Sequence, residues 1–374
     1  QKMLEIREVL TKRDTMRFIK MPWAVYKGDP NWVPPLVFDM KHSLDRKKHP
    51  FFEFGEAAFF LAIRDGEVVG RITGHINHKH DEYHKTRDGF FGFYECMNDE
   101  EASTALLNTA ESWCRARGAT KMIGPMNYTI YDEIGLLAEG HDNEPKTPVI
   151  LEVYTPKYYI DLMAKAGYVK DIDWLSFMIG KDVVVPELFA KVRERLVSKG
   201  FVFRCIDHKN LEAEVERIKG VVNSAWAANW GHVPYSDRQF EAVTEALKMI
   251  LDPRMIFLVD KDGETVATSI TLPDLNPSVK KMNGRLFPFG WWHFLRAKKK
   301  AYGLRTFLFG VKEEYRNRGI DAVLVMDTVA AGRKYGYLWS SCSIVVENNV
   351  KMIQPILDWG GYEFKRYRIF TKPL

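Results

Sequence analysis

Three blocks of sequence recur in the same order in the two halves of the chain, and this limits the fold more than any other feature. Phe60-Leu61-Ala62-Ile63-Arg64-Asp65-Gly66-Glu67 resembles Phe257-Leu258-Val259-Asp260-Lys261-Asp262-Gly263-Glu264. Each is an apolar run that reaches Asp-Gly and continues into another β-rich run, the pattern of a hairpin. A helix follows in each half. Over 100–117, Ala102, Leu106, Ala110, Trp113 and Cys114 fall at helical spacing, with Asn98-Asp99 in front as cap and Gly118 behind. Over 320–335 the pattern returns, and Arg115 with Gly118 falls on Arg333 with Gly336 at one constant offset. A third block, a short helix, Gly-Tyr and a strand, closes each half at 159–179 and 350–371.

At 374 residues the chain has room for about two domains. The repeats predict two similar lobes, 1–180 and 181–374. Pro186 to Lys199 reads as an amphipathic helix just past the boundary, followed by a strand at 201–206 and a helix at 211–226. Strands and helices interleave, so the class is mixed α/β. It is not a Rossmann repeat, because the hairpin precedes the helix and no G-x-G-x-x-G follows an early strand. Each half carries an insertion, 128–148 in the first and 273–300 in the second.

Lys and Arg number 54 against 49 Asp and Glu, a net charge of +5. Spread over this length, that suits small anionic ligands without requiring nucleic acid. The densest basic cluster, Arg296 with Lys298, Lys299 and Lys300, reads as a solvated loop. Cys96, Cys114, Cys205 and Cys342 form no C-x-x-C pair, which predicts reduced thiols and a cytoplasmic setting. No apolar run approaches the roughly 18 residues of a membrane span, and no signal-peptide core is expected at the N-terminus.

The segment richest in chemistry is Phe307 to Ala322. A strand runs into the basic turn Arg316-Asn317-Arg318-Gly319, and the turn opens a helix at Ile320-Asp321-Ala322. Backbone N–H groups at a helix start, beside two arginines, make an anion site, and Gly319 lets a ligand approach the backbone. The matching first-half turn, Asn98-Asp99-Glu100-Glu101, is acidic and is expected to repel a pyrophosphate.

On these residues the second half resembles the GNAT acyltransferase superfamily, whose pyrophosphate loop reads [Q/R]-x-x-G-x-[G/A]; here Arg316, Gly319 and Asp321 occupy the three marked places. The whole chain is similar to the two-lobed GNAT proteins, and Pro22-Trp23 to Pro34-Pro35, Gly124-Pro125-Met126-Asn127 and Asn229 to Pro234 add to the likeness. The resemblance implies a tandem GNAT fold that binds acetyl-CoA or another acyl-CoA in the second lobe, at Val311, Arg316, Asn317, Arg318, Gly319, Ile320, Asp321 and Ala322. It implies N-acyl transfer to an amine, with Glu347 and Asn348 as catalytic candidates. Two residues depart from the family pattern. Asp321 stands where Gly or Ala is usual, and Leu357 stands where many members carry a tyrosine acid. Two other readings of the same fold are aminoacyl transfer from aminoacyl-tRNA, as in Fem-type ligases, and a non-catalytic CoA-binding protein.

Trp226, Trp230 and Tyr235 follow the 211–226 helix, where the resemblance puts an acceptor-covering loop; they are the substrate-binding candidates. Phe287, Phe289, Trp291 and Trp292 form an aromatic loop in the second insertion. Asp132, Glu133, Glu139, Asp142 and Glu144 give the first insertion an acidic rim, which favours a cationic amine. His75, His78, His80 and His84, with Asp81 and Glu82, crowd a polar segment that reads as a solvated loop rather than a metal site.

Overall fold

The computed structural model describes residues 3–288 and 290–374. Both Asp-Gly pairs form two-residue turns with positive φ at each residue, 52° and 86° at Asp65-Gly66 and 51° and 80° at Asp262-Gly263. That backbone twist joins antiparallel strands. The strands are β1 Leu4–Glu8, β2 Gly55–Arg64, β3 Glu67–Asn77, β4 Asp88–Cys96, β5 Lys121–Gly124, β6 Leu136–Glu139, β7 Val169–Gly180, β8 Phe201–Cys205, β9 Ile256–Lys261, β10 Glu264–Pro273, β11 Gly303–Val311, β12 Trp339–Val346 and β13 Tyr362–Pro373.

The chain divides into two compact units, and neither is one continuous stretch. The first holds residues 1–174, 278–293 and 365–374; the second holds 175–277 and 294–364. A single cut near residue 180 leaves 278–293 and 365–374 with the other half. The C-terminal residues Phe370 to Pro373 pair with Gly124 to Lys121 of β5, inside the first unit. Residues 278–293 are held there too, by Val37 N–H on the Gly284 carbonyl at 3.1 Å and by Trp23 Nε1 on Asn283 Oδ1 at 2.9 Å.

In the first unit β1-β2-β3-β4 is antiparallel and β4-β5 is parallel. The helix Glu100–Arg115 covers the sheet, burying Ala102, Leu106, Leu107, Ala110 and Cys114 against Ile72, Phe91 and Met122. The second unit repeats the scheme: β8-β9-β10-β11 is antiparallel, β11-β12 is parallel, and the helix Ile320–Lys334 buries Ile320, Val323 and Leu324 against Val259, Val266 and Ala267. Each unit is a mixed α/β sheet with its helix after the fourth strand of the repeat.

Three expected loops are otherwise. The basic cluster and Trp292 lie in a helix, Gly290–Lys300, where Lys298 donates to the Leu251 carbonyl at 2.9 Å; Phe289 lies outside the described residues. The polar histidine segment is the helix His78–His84, capped by Asn77 accepting from His80 N–H at 3.0 Å. His75 is fully buried, stacked on Phe90, and burial alone pushes its pKa down to about 3. No described helix is long and apolar enough to cross a membrane.

Candidate functional site

In the second unit, β11 and β12 pair only from Gly303↔Trp339 to Thr306↔Cys342. Beyond Thr306, β11 bulges at Phe307, where its register against β10 slips between Ile270 and Thr271, and then stays paired to β10 as far as Val311↔Ala267. A bulge turns a strand away from its neighbour. Residues 307–311 therefore run on without a described β12 partner. Gly310 is required here, because a Cβ would stand 2.8 Å from the Ala225 methyl of the helix Leu211–Ala225.

The turn after β11 curls through positive φ at Asn317 (59°) and Gly319 (89°). Gly319 caps the helix Ile320–Lys334 with no side-chain hydrogen bond. The first described backbone bond at this helix start is Val323 N–H to the Gly319 carbonyl, at 3.3 Å. The amides of 317–322 have no acceptor among the described residues, so they stand open for an anion at the positive end of a helix. Gly319 has little freedom to change: besides its φ, a Cβ would sit 2.6 Å from Val192 Cγ1. Arg195 Nη2 braces the turn through the Arg318 carbonyl at 3.1 Å.

The two arginines hold the turn as well as charging it. Arg316 donates from Nη2 to the Ala225 carbonyl at 2.6 Å and from Nε to the Val311 carbonyl at 3.3 Å. Arg318 donates to the Glu314 carbonyl at 2.9 Å and lies over the Tyr315 ring. Asp321 is exposed in the first helical turn and makes no bond among the described residues.

Of the aromatic candidates, Trp226 comes to this region, its Nε1 3.4 Å from the Phe309 carbonyl on β11. Tyr235 packs edge-on against Phe240, and its N–H donates to Asn223 Oδ1 at 3.2 Å. Trp230 is half-buried in the loop between them. Glu347 and Asn348 form the turn after β12, the first half-buried and the second exposed. Leu357 lies in the helix Val350–Asp358 and is 41% exposed.

The first unit has the same joints with different contents. The helix Glu100–Arg115 is closed at its start by Asp99, which accepts from Ala102 N–H at 3.0 Å. Arg64 grips Asp99 at 2.9 and 3.1 Å and Glu101 at 2.8 Å. β4 also bulges after its parallel pairing with β5 ends at Phe90↔Ile123, with Phe93 at φ 46°. Here the chain itself covers the bulge. Met126 N–H bonds the Phe91 carbonyl at 2.8 Å, and Asn127 Oδ1 accepts from Phe93 N–H at 2.6 Å. Among the histidines, His80, Asp81 and Asp88 bring ligand atoms within 4.8 Å of one another, but these atoms already bond each other, Thr86 and Lys121.

No protein-family model matches the chain. A bacterial ceramide synthase of Caulobacter vibrioides is 32% identical over 99% of this chain and 98% of its own length. Protein YghO of Escherichia coli is 31% identical over 99% of this chain and 95% of its own. Among solved structures, a tandem GNAT protein from the clavulanic acid biosynthesis pathway, determined without AcCoA, superposes with a TM-score of 0.58 at 13% identity, over 99% of this chain and 98% of that one. That likeness concerns the fold.

Proposed function

Since the chain belongs to the family of the bacterial ceramide synthase and YghO, and has the two-lobed GNAT fold, we propose that it is an acyl-CoA-dependent N-acyltransferase. The observation that carries this is the open turn of the second unit: amides 317–322 without acceptors, at a helix start, beside a strand edge left unpaired from Phe307 to Val311. In this reading the amides of Asn317 to Ala322 hold the pyrophosphate of the cofactor, with Arg316 and Arg318 adding positive charge. The edge of β11 that β12 leaves beyond Thr306 takes the pantetheine arm as an added strand would be taken, in exchange for the Trp226 and Arg316 side chains on the Phe309 and Val311 carbonyls. Bound there, an acyl-CoA supplies the thioester carbonyl that an amine attacks. Backbone N–H groups near the bulge at Phe307 stabilise the charge that grows on the carbonyl oxygen. Glu347 takes the proton of the amine through water, and Asn348 orients the group that leaves. Trp226, Trp230 and Tyr235 shape the acceptor's side of the site. Asp321 stands exposed beside the turn, where its charge opposes the phosphate through solvent.

The acceptor is a primary amine. The name of the Caulobacter relative points to a long-chain amino alcohol, since a ceramide is such a molecule acylated on nitrogen. The test is to incubate the protein with acyl-CoAs of two to eighteen carbons and a panel of amines, following free thiol and amide product by mass spectrometry. Amide formation with release of CoA supports the reading; thiol release without amide, or no turnover with any pair, overturns it. Calorimetric titration tests the turn separately. Arg316→Ala should weaken CoA by about 1–3 kcal/mol, the worth of a charged hydrogen bond together with some loss of its hold on the turn.

A further inference from the structure

Residues 275–304 hold seven Lys and Arg and no Asp or Glu, whereas the rest of the chain holds 47 basic residues against 49 acidic. The net positive charge of the whole protein is thus gathered in one short stretch. Six of the seven cations are exposed. Large apolar side chains stand in water among them: Phe287 is 73% exposed, Leu295 63% and Trp292 45%. A stretch whose only purpose was solubility would carry the charges without the rings.

The helix Gly290–Lys300 sorts these side chains by face. Gly290 and Ala297 are buried on one side, with His293 and Phe294 half-buried beside them. On the opposite side Trp292, Leu295, Arg296 and Lys299 fall at i, i+3, i+4 and i+7, and all four are exposed. Along the axis, apolar groups lead and cations follow. The fold holds this helix at both ends. Before it the chain turns tightly, since a Cβ on Gly290 would stand 2.1 Å from the Arg285 carbonyl, which keeps Phe287 near the helix start. At the far end Lys298 donates to the Leu251 carbonyl at 2.9 Å.

We propose that the outward face of this helix docks the protein on the surface of an anionic phospholipid bilayer. Trp292 and Leu295 enter the boundary between headgroups and acyl chains, and Arg296, Lys299 and Lys300 reach the lipid phosphates on their long stems. A tryptophan suits that boundary because its ring is apolar and its N–H is not. Each cation held near an anionic surface is worth roughly fivefold in partitioning.

Two other occupants fit the face less well. A nucleic acid rewards the cations but gains nothing from Leu295. A protein partner covering Trp292 and Leu295 would have to desolvate Arg296 and Lys299 with them, and the cores of protein interfaces are poor in lysine for that reason. A bilayer surface takes both kinds of side chain at once, because its apolar and charged layers lie a few ångströms apart. The proposal uses neither the turn at 316–322 nor the identity of any acceptor, so it stands or falls separately from the enzymatic reading.

The test is flotation of the full chain with vesicles of phosphatidylcholine alone and of phosphatidylcholine with about a third phosphatidylglycerol. The protein should float with the anionic vesicles and at least tenfold less with the neutral ones. Raising sodium chloride from about 0.1 to 0.5 M should weaken the association about tenfold, as the Debye length shortens. Arg296→Glu with Lys299→Glu should weaken it at least twentyfold, since two attractions become repulsions. Trp292→Ser with Leu295→Ser should weaken it about tenfold at either salt, from lost apolar burial. Lys199→Glu with Lys209→Glu makes the same change of net charge on exposed side chains outside the stretch and should leave flotation near the parent value. Thermal melts report whether the variants fold; if one does not, the lipid and salt series on the parent protein decide alone. Equal flotation with both vesicle types, a charge-reversed helix that floats like the parent, or a control pair that matters as much as the helix pair would overturn the proposal. So would loss of Trp292 and Leu295 without effect, which would make the face a general polyanion site; binding of a DNA duplex by that variant as tightly as by the parent would identify it as one. A protein that floats but transfers no acyl group keeps this inference and loses the enzymatic reading; one that transfers but does not float does the reverse.

Discussion

The two units make the same turn between the same elements and finish it with opposite chemistry. In the second, Gly319 begins the helix with no side-chain cap, and the amides around it have no acceptor among the described residues. In the first, Asp99 fills the corresponding cap and Arg64 neutralises the acids beside it. The bulged strands show the same division. β11 leaves its edge open after Thr306, whereas β4 has its edge closed by Met126 and Asn127. A duplicated fold thus keeps its joints and changes what occupies them. An open helix start is a standing invitation to an anion, and an aspartate with an arginine behind it withdraws that invitation. The first unit instead has its unusual charges further along the strand, at the buried Arg71 and its cross-strand partner Glu95.

The most damaging way to probe the contrast is Gly319→Ala. A left-handed residue would gain a Cβ overlapping Val192, so the turn must rebuild. We expect a loss of about 3 kcal/mol in stability, from backbone strain and overpacking together, and at least a tenfold loss of CoA affinity. Urea melts and titration measure the two; a protein that keeps both would mean that the turn does not depend on its glycine. Next in size, Asp99→Ala should cost about 1 kcal/mol of stability, the usual worth of a helix cap, while CoA affinity stays at the parent value. Tighter CoA binding in that variant would show that the first-unit turn is a masked second site. Last, Asp321→Gly should tighten CoA about fivefold at low salt and less at moderate salt, because one like charge near a solvent-screened phosphate is removed. The same affinity at both salts would mean that the carboxylate stays clear of the phosphate, and weaker binding that it positions the loop.

Much of this arrangement can be read from local sequence. Asp65-Gly66 and Asp262-Gly263 announce their hairpins because few residue pairs tolerate two positive φ angles in succession. Asp99 and Gly118 mark the ends of one helix, and Gly319 and Gly336 those of the other, for similar reasons. The basic turn is legible because its charge and glycine lie within a few residues. The grouping of Arg71, Glu95 and Glu133 is not. Its members are 24 and 38 positions apart, and only the β3–β4 register and the closing loop at Asn127 bring them together. The acidic rim of the first insertion hints at Glu133 but gives no sign of its partners. The helix Gly290–Lys300 is hidden by its aromatic start and lysine-rich end, which do not show an amphipathic stripe. Nor does any local pattern place residues 278–293 in the first unit; Trp23 and Val37, more than 240 positions away, do that.

One strand pairing sets an order of assembly. β5 finds its antiparallel neighbour in Phe370 to Pro373, the last residues but one of the sequence. On a ribosome, most of the first unit emerges early and yet waits for β13, roughly 250 positions later, to be finished. Until then one side of β5 is a bare edge, open to any strand that passes, and burying it early depends on other protection. A ribosome stalled beyond residue 300 would thus carry a nascent chain whose oldest half is still incomplete. Shortening the chain by ten residues at its C-terminus should harm that oldest half first, and the strand supplied again as a separate peptide is the natural means of repair.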